Sequence, residues 1–173
     1  MKQSQDSRAE QHQPRWYQRM VIRTASSRVG AWLLSHMLHR MDMPVIRISR
    51  GKRSITSPAT GLPIVTLTTR GARTGKLRTT PLVGVPDGEK IVLIASNWGR
   101  QHHAGWYYNL RANPEVTLSV KGSRGTYVAR EATGDEREEY WRRAVGLYKG
   151  YESYRQRIHD RKIPIMVLTP KKD

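Results

Sequence analysis

The 173-residue chain contains no cysteine, which removes disulfides, thiolate metal sites and cysteine nucleophiles from consideration. A cytoplasmic location is the expectation that fits. Acid is scarce as well: 14 Asp and Glu stand against 31 Lys and Arg, a formal net charge of +17. Such a surface attracts phosphates, polycarboxylates, nucleic acid or anionic lipid, and charge alone does not choose among them. No apolar run approaches the roughly 20 residues that span a bilayer. The opening MKQSQDSRAEQHQPR lacks the apolar core of a signal peptide. Nucleotide-binding fingerprints are missing too. Gly71 and Gly75 are too close for a Walker loop, no Ser or Thr follows Lys76, and no GxGxxG occurs after a strand. There is no HExxH, and His102 and His103 are adjacent, a spacing at which two side chains rarely face one ion, so no metal site is expected. Asp87 falls in a turn. Asp135, Glu136, Glu138 and Glu139 crowd a helix start, where they suit the dipole better than a paired-carboxylate site.

What is present reads as one domain at this length. Residues 1–14 are Gln-rich and charged with nothing to bury, and are expected to be a disordered tail. Over residues 16–41, Met20, Val21, Ile22, Val29, Trp32, Leu33, Leu34, Met37 and Leu38 recur at helical spacing among Arg15, Arg19, Arg23, Arg28 and Arg40. Such a basic amphipathic helix can rest on an anionic membrane or pack its apolar face on its own domain. After the turn around Pro58 and Gly61, strands are expected over 64–69, 77–85 and 90–96, with Pro86, Asp87 and Gly88 as a hairpin turn. A short helix over 106–113 ends at Pro114, and a second hairpin follows over 115–121 and 125–132. Thr133 with Glu136 resembles a capping box opening a helix over 135–147. A further helical stretch over 151–160 precedes a closing strand over 163–169. Five or six strands with short helices predict an α+β, mainly β domain built on a small, partly open barrel.

Chemistry concentrates between Leu67 and Leu110. Gly71 and Gly75 permit a tight turn that Arg70, Arg73, Lys76 and Arg78 load with cationic donors. It can cradle a phosphate or simply solubilise an exposed connection. Ser96, Asn97, Trp98 and Gly99 leave a strand at a barrel rim, either as a ligand edge or as an ordinary turn. Tyr148, Tyr151 and Tyr154 repeat every third residue, so on one helix they would share a face of roughly 120°. They can line a pocket or pack the core.

The segments TTRGARTGKLRTTPL, VLIAS, WYYNLRANPEV, ATGDEREEYW, YKGYESY and RKIPIMVLTP resemble, in order and spacing over residues 64–170, the deazaflavin-dependent nitroreductases. These are split β-barrel oxidoreductases, FMN-binding-like antiparallel barrels with flanking helices, that use coenzyme F-420. The resemblance implies that Arg73, Thr74, Gly75, Arg78, Thr80 and Pro81 hold the phosphate and acidic tail of the cofactor. It places the deazaflavin ring against Ile94, Ala95, Ser96 and Asn97 and beside Gly105, Trp106, Tyr107 and Asn109. Some relatives carry a basic residue where Asn97 stands, and Arg100 with the two histidines can substitute for it. The substrate pocket carries over to Tyr148, Tyr151 and Tyr154. Tyr151 or Ser96 would donate the hydrogen bond that stabilises negative charge as hydride passes to a quinone-like, nitroaromatic or other electron-poor acceptor. An FMN-binding oxidoreductase of the same barrel type is the alternative cofactor reading. A non-catalytic basic protein ranks below both, no specific nucleic acid is expected, and a homodimer is the generic expectation for such barrels. Quinones live in membranes, which gives the N-terminal segment a reason to touch one.

Overall fold

The computed structural model describes residues 61–172, so the tail and helical segment expected over residues 1–41 lie outside the described residues. Six strands and three helices follow in the expected order. They are β1 (Ile64–Arg70), β2 (Leu77–Asp87), β3 (Lys90–Ile94), α1 (Gly105–Ala112), β4 (Glu115–Val120), β5 (Ser123–Glu131), α2 (Gly134–Leu147), α3 (Gly150–Arg157) and β6 (Ile165–Pro170). Every ladder is antiparallel and the strand order is β1-β2-β3-β6-β5-β4. The barrel is closed, which corrects the partly open one expected. Val65 pairs with Val120 and Leu67 with Leu118, so β1 and β4 leave no edge between them.

Period-two alternation sorts the strands into two cores. Leu67, Ile91, Leu93, Leu118, Met166 and Leu168 fill the barrel, capped by Trp106, Tyr107 and Leu110 of α1. Val92, Ile94, Ile165 and Val167 point the other way, onto Tyr140, Trp141 and Ala144 of α2 and Tyr151 and Tyr154 of α3. Because β3 and β6 are buried on both faces, they read as nearly continuous apolar runs. Antiparallel alternation sets the connections 71–76, 95–104 and 132–133, together with the start of β6, at one end of the barrel, the end that α1 covers.

Two local expectations need correction. Asp87 pairs with Lys90 in the ladder, so the β2–β3 turn is Gly88-Glu89, with Gly88 at φ 59°, rather than Pro86-Asp87-Gly88. Asp87 instead docks α2: Tyr140 Oη donates to Oδ2 at 2.7 Å and Arg143 Nη1 to Oδ1 at 2.8 Å. The Tyr140 bond first, and then the bond and charge of Arg143, hold the Asp87 carboxyl below its ordinary value against its burial. The capping box does not form either, since Thr133 makes no side-chain cap bond. Glu136 goes to Arg130 at 2.7 and 2.6 Å, because a bidentate guanidinium beside the helix start outbids a lone backbone N–H.

Buried phenols give the fold a pH limit. Burial, then the Asp87 hydrogen bond, pushes Tyr140 from 10.0 up to about 12. Burial likewise raises Tyr151 and Tyr154. Unfolded phenols ionise near pH 10 while these do not, so stability is full below that pH and falls as pH climbs through the folded values. Urea midpoints measured from pH 8 to pH 12 should be level at first and decline above about pH 10. A Tyr140→Phe variant should decline less steeply, and an identical decline would remove Tyr140 from the account.

Candidate functional site

The basic loop between β1 and β2 is knitted by its own backbone. Gly71 N–H donates to Lys76 O at 2.9 Å, Gly75 N–H to Gly71 O at 2.8 Å, and Arg70 Nη1 to Gly75 O at 3.1 Å. Helix α1 ties it down: Asn109 Oδ1 accepts from Ala72 N–H and Asn109 Nδ2 donates to Thr69 Oγ1, both at 3.0 Å. Asn109 was expected at the ring, yet both amide atoms are committed to shaping the loop. Arg70 is likewise a brace. Arg73, Thr74, Gly75, Lys76 and Arg78 are exposed. Among the described residues no carboxylate forms an ion pair with Arg73, Lys76, Arg78, Arg100 or Arg111; the acids pair elsewhere, with Arg130, Arg137, Arg143, Arg155 and Lys171. These five cations thus stand at the α1 end of the barrel without an ion-pair partner among the described residues. Thr80 pairs with Leu67 and Pro81 with Thr66, so these neighbours present opposite faces of β2.

The chain leaves β3 through a left-handed turn. Ile94 is packed against the helices and Ala95 against the barrel interior; Ser96 is buried, with no side-chain hydrogen bond among the described residues. Asn97, Trp98 and Gly99 then take φ of 49°, 59° and 76° in succession. For Trp98 that conformation costs about 1–2 kcal/mol, and strain of this kind persists only where neighbours hold it. The neighbours are identifiable. Asn97 Nδ2 donates to His102 O at 2.9 Å, Gln101 Nε2 to Arg157 O at 2.8 Å, and the Trp98 ring meets Tyr154 edge-on at 6.3 Å. A Cβ on Gly99 would stand 3.2 Å from Tyr154 Cα in a left-handed backbone, so a side chain there is strained and must push α3 back by a few tenths of an ångström.

Arg161, just before β6, is the strongest brace of this turn; it opens the RKIPIMVLTP segment, but nothing in that segment pointed to this role. Its guanidinium donates to the carbonyls of Ala95, Ser96, Arg100 and Gln101 and to Nδ1 of His103. His103 lies against Tyr107 at 4.8 Å with the rings tilted by 44° and meets Tyr108 edge-on at 5.8 Å. Burial first, then Arg161, lowers its pKa, so the imidazole is uncharged at neutral pH.

Of the residues expected beside the ring, Gly105 is exposed at the start of α1, while Trp106 and Tyr107 are given over to the barrel core. Tyr107 Oη donates to Glu131 Oε2 at 3.0 Å, and burial raises its pKa. The three tyrosines of the expected pocket wall do come together, but not on one helix face. Tyr148 is the C-cap of α2, while Tyr151 and Tyr154 belong to α3. Their ring centroids lie 5.2, 6.0 and 6.3 Å apart, edge to face, and the Tyr148 and Tyr154 hydroxyls share a 2.9 Å hydrogen bond. The break is explained by Gly150, whose missing Cβ leaves the space that the Tyr148 ring fills. Among the described residues none takes a hydrogen bond from the Tyr151 hydroxyl, and burial keeps that phenol protonated.

The family model described as F-420H(2)-dependent quinone reductase matches residues 38–170 of the chain. An F-420H(2)-dependent quinone reductase of Mycobacterium tuberculosis is 31% identical over 147 residues, covering 82% of this chain and 97% of the relative. A solved F-420H(2)-dependent reductase superposes with a TM-score of 0.57 at 39% identity, over 61% of this chain and 93% of that one. A solved domain-swapped dimer matches with a TM-score of 0.60 at 32% identity, over 80% and 97% of the two chains.

Proposed function

The chain belongs to the F-420H(2)-dependent quinone reductase family, a group of oxidoreductases dependent on coenzyme F-420, and from that premise we propose how its own residues act. Bound coenzyme F-420 supplies a hydride from the C5 carbon of its deazaflavin. Arg73, Lys76 and Arg78, with Arg100 and Arg111 at the same barrel end, hold its phosphate and polyglutamate tail. The unpaired cations carry this reading: one phosphate would occupy a single pocket, whereas a run of exposed, unneutralised donors suits a polyanion. FMN therefore ranks second.

Ser96 and the left-handed turn at the exit of β3 seat the ring, because the turn is held by side chains that do not themselves need the ligand. Tyr151 is the donor. Its phenol is neutral across the physiological range and without a partner among the described residues, so it can stabilise an oxygen that gains charge as an acceptor is reduced. A quinone or a nitroaromatic compound offers such an oxygen. We place the enzyme in the cytoplasm, as a homodimer, and assign the basic residues of the N-terminal segment to contact with membranes where quinones reside.

Steady-state reduction of a water-soluble quinone by F-420H(2) tests the donor. Tyr151→Phe should lower kcat by on the order of tenfold or more with KM for the cofactor unchanged. Unchanged kcat would assign the tyrosines to the core alone.

A further inference from the structure

Arg161 is a half-buried cation with no carboxylate in ion-pair reach among the described residues, and burial lowers its pKa. Its nitrogens are spent instead on the loop between β3 and α1. Nη2 donates to Ser96 O at 2.9 Å and Arg100 O at 2.8 Å; Nε donates to Gln101 O at 3.0 Å and Arg100 O at 3.3 Å; Nη1 reaches Ala95 O at 3.4 Å and His103 Nδ1 at 3.2 Å. A guanidinium cannot accept a hydrogen bond, so His103 Nδ1 must be the bare nitrogen and Nε2 must carry the proton. The Tyr107 and Tyr108 rings fix the plane of the imidazole. Among the described residues nothing accepts from Nε2–H, and His103 is half-buried at the same loop that contains Ser96.

We propose that Arg161 is a positioning residue for the ring end of the cofactor site: it holds the turn Asn97–Gly99 and fixes His103 as the Nε2–H tautomer, which donates to a carbonyl of the bound deazaflavin. This rests on the F-420 reading above. The charged and titratable groups around His103 are Arg161 and Arg111, which oppose its protonation, Glu131, which favours it, and the phenols of Tyr107 and Tyr108. Exchanging Arg161 for lysine keeps the charge but replaces a fork that reaches five groups with a single ammonium.

Nitrogen-15 NMR of the His103 ring, with no cofactor present, tests the first half. Wild type should show protonated Nε2 and bare Nδ1, titrating below the ordinary 6.5, whereas Arg161→Gln, which removes the charge, should titrate closer to 6.5 and Arg161→Lys, which keeps it, should stay low. Binding of oxidised F-420, followed by its fluorescence, tests the second half. Affinity should fall roughly tenfold in both Arg161 variants and in His103→Leu, and by no more than about threefold in His103→Gln, which retains a donor. An unchanged His103 titration in Arg161→Gln, or wild-type affinity in His103→Leu, would overturn the proposal. Wild-type protein that shows the predicted tautomer but binds no F-420 would overturn the cofactor reading, and with it the ligand half of this one.

Discussion

A Gly150→Ala variant is expected to lose about 3 kcal/mol of stability, the upper range for forcing extra volume into a packed core, which for a chain of this size lowers Tm by roughly 10 °C. The added methyl would stand inside the van der Waals envelope of the Tyr148 ring. A ring at the end of a side chain can often swing away, but this one cannot do so cheaply. Tyr148 is 6% exposed, bonded through its hydroxyl to Tyr154, and edge-on to both Tyr151 and Tyr154. Moving it would disturb the same cluster that braces Trp98 and the turn after β3. Thermal unfolding followed by near-ultraviolet circular dichroism measures both consequences. A Tm within 2 °C of wild type would show that the Tyr148 ring has somewhere else to go.

The second large effect belongs to the basic loop. A charge-assisted hydrogen bond contributes about 1.5–3 kcal/mol, so an Arg73→Ala, Arg78→Ala double variant should bind F-420 roughly a hundredfold or more weakly. The fold should not notice. Both side chains are exposed and without ion pairs among the described residues, while the loop is shaped by Arg70, Asn109 and its own backbone. The melting temperature of the free protein should therefore stay within about 2 °C of wild type. Added salt should weaken wild-type binding more than binding by the double variant, because fewer charges remain to be screened. Asn109→Ala offers the contrast, since it should weaken binding and also loosen the loop, visible as faster amide exchange at Ala72. Equal salt sensitivity in wild type and double variant would place the tail elsewhere.

Much of the fold was legible because it is local. The apolar runs of β3 and β6, the helix ended by Pro114 and the glycine loop each announce themselves within a few residues. Closure of the barrel does not. Leu67 meets Leu118 across a long stretch of chain, and nothing in either strand alone specifies that partner. The site divides in the same way. Arg73, Arg78 and the tyrosines could be picked out because their residue types are conspicuous. Arg161 could not, because its role depends on five groups of a loop remote in sequence. Trp98 at φ 59° is equally hidden, since local propensity assigns a left-handed conformation to glycine or asparagine and rarely to a residue as bulky as tryptophan. The capping box misread Glu136 for a related reason, as the competing Arg130 arrives from the preceding strand.

If the cations of the 71–78 loop hold a polyanionic tail while the exit of β3 seats the ring, tail and ring each contribute to cofactor binding. Titrating the wild-type protein with oxidised F-420, with the same deazaflavin lacking its phosphate and glutamates, and with FMN tests it most directly. Binding of F-420 at micromolar concentration, at least tenfold weaker binding of the tail-less deazaflavin and weaker binding of FMN are the predicted results. Equal affinity for the two deazaflavins, or tighter binding of FMN, would contradict it.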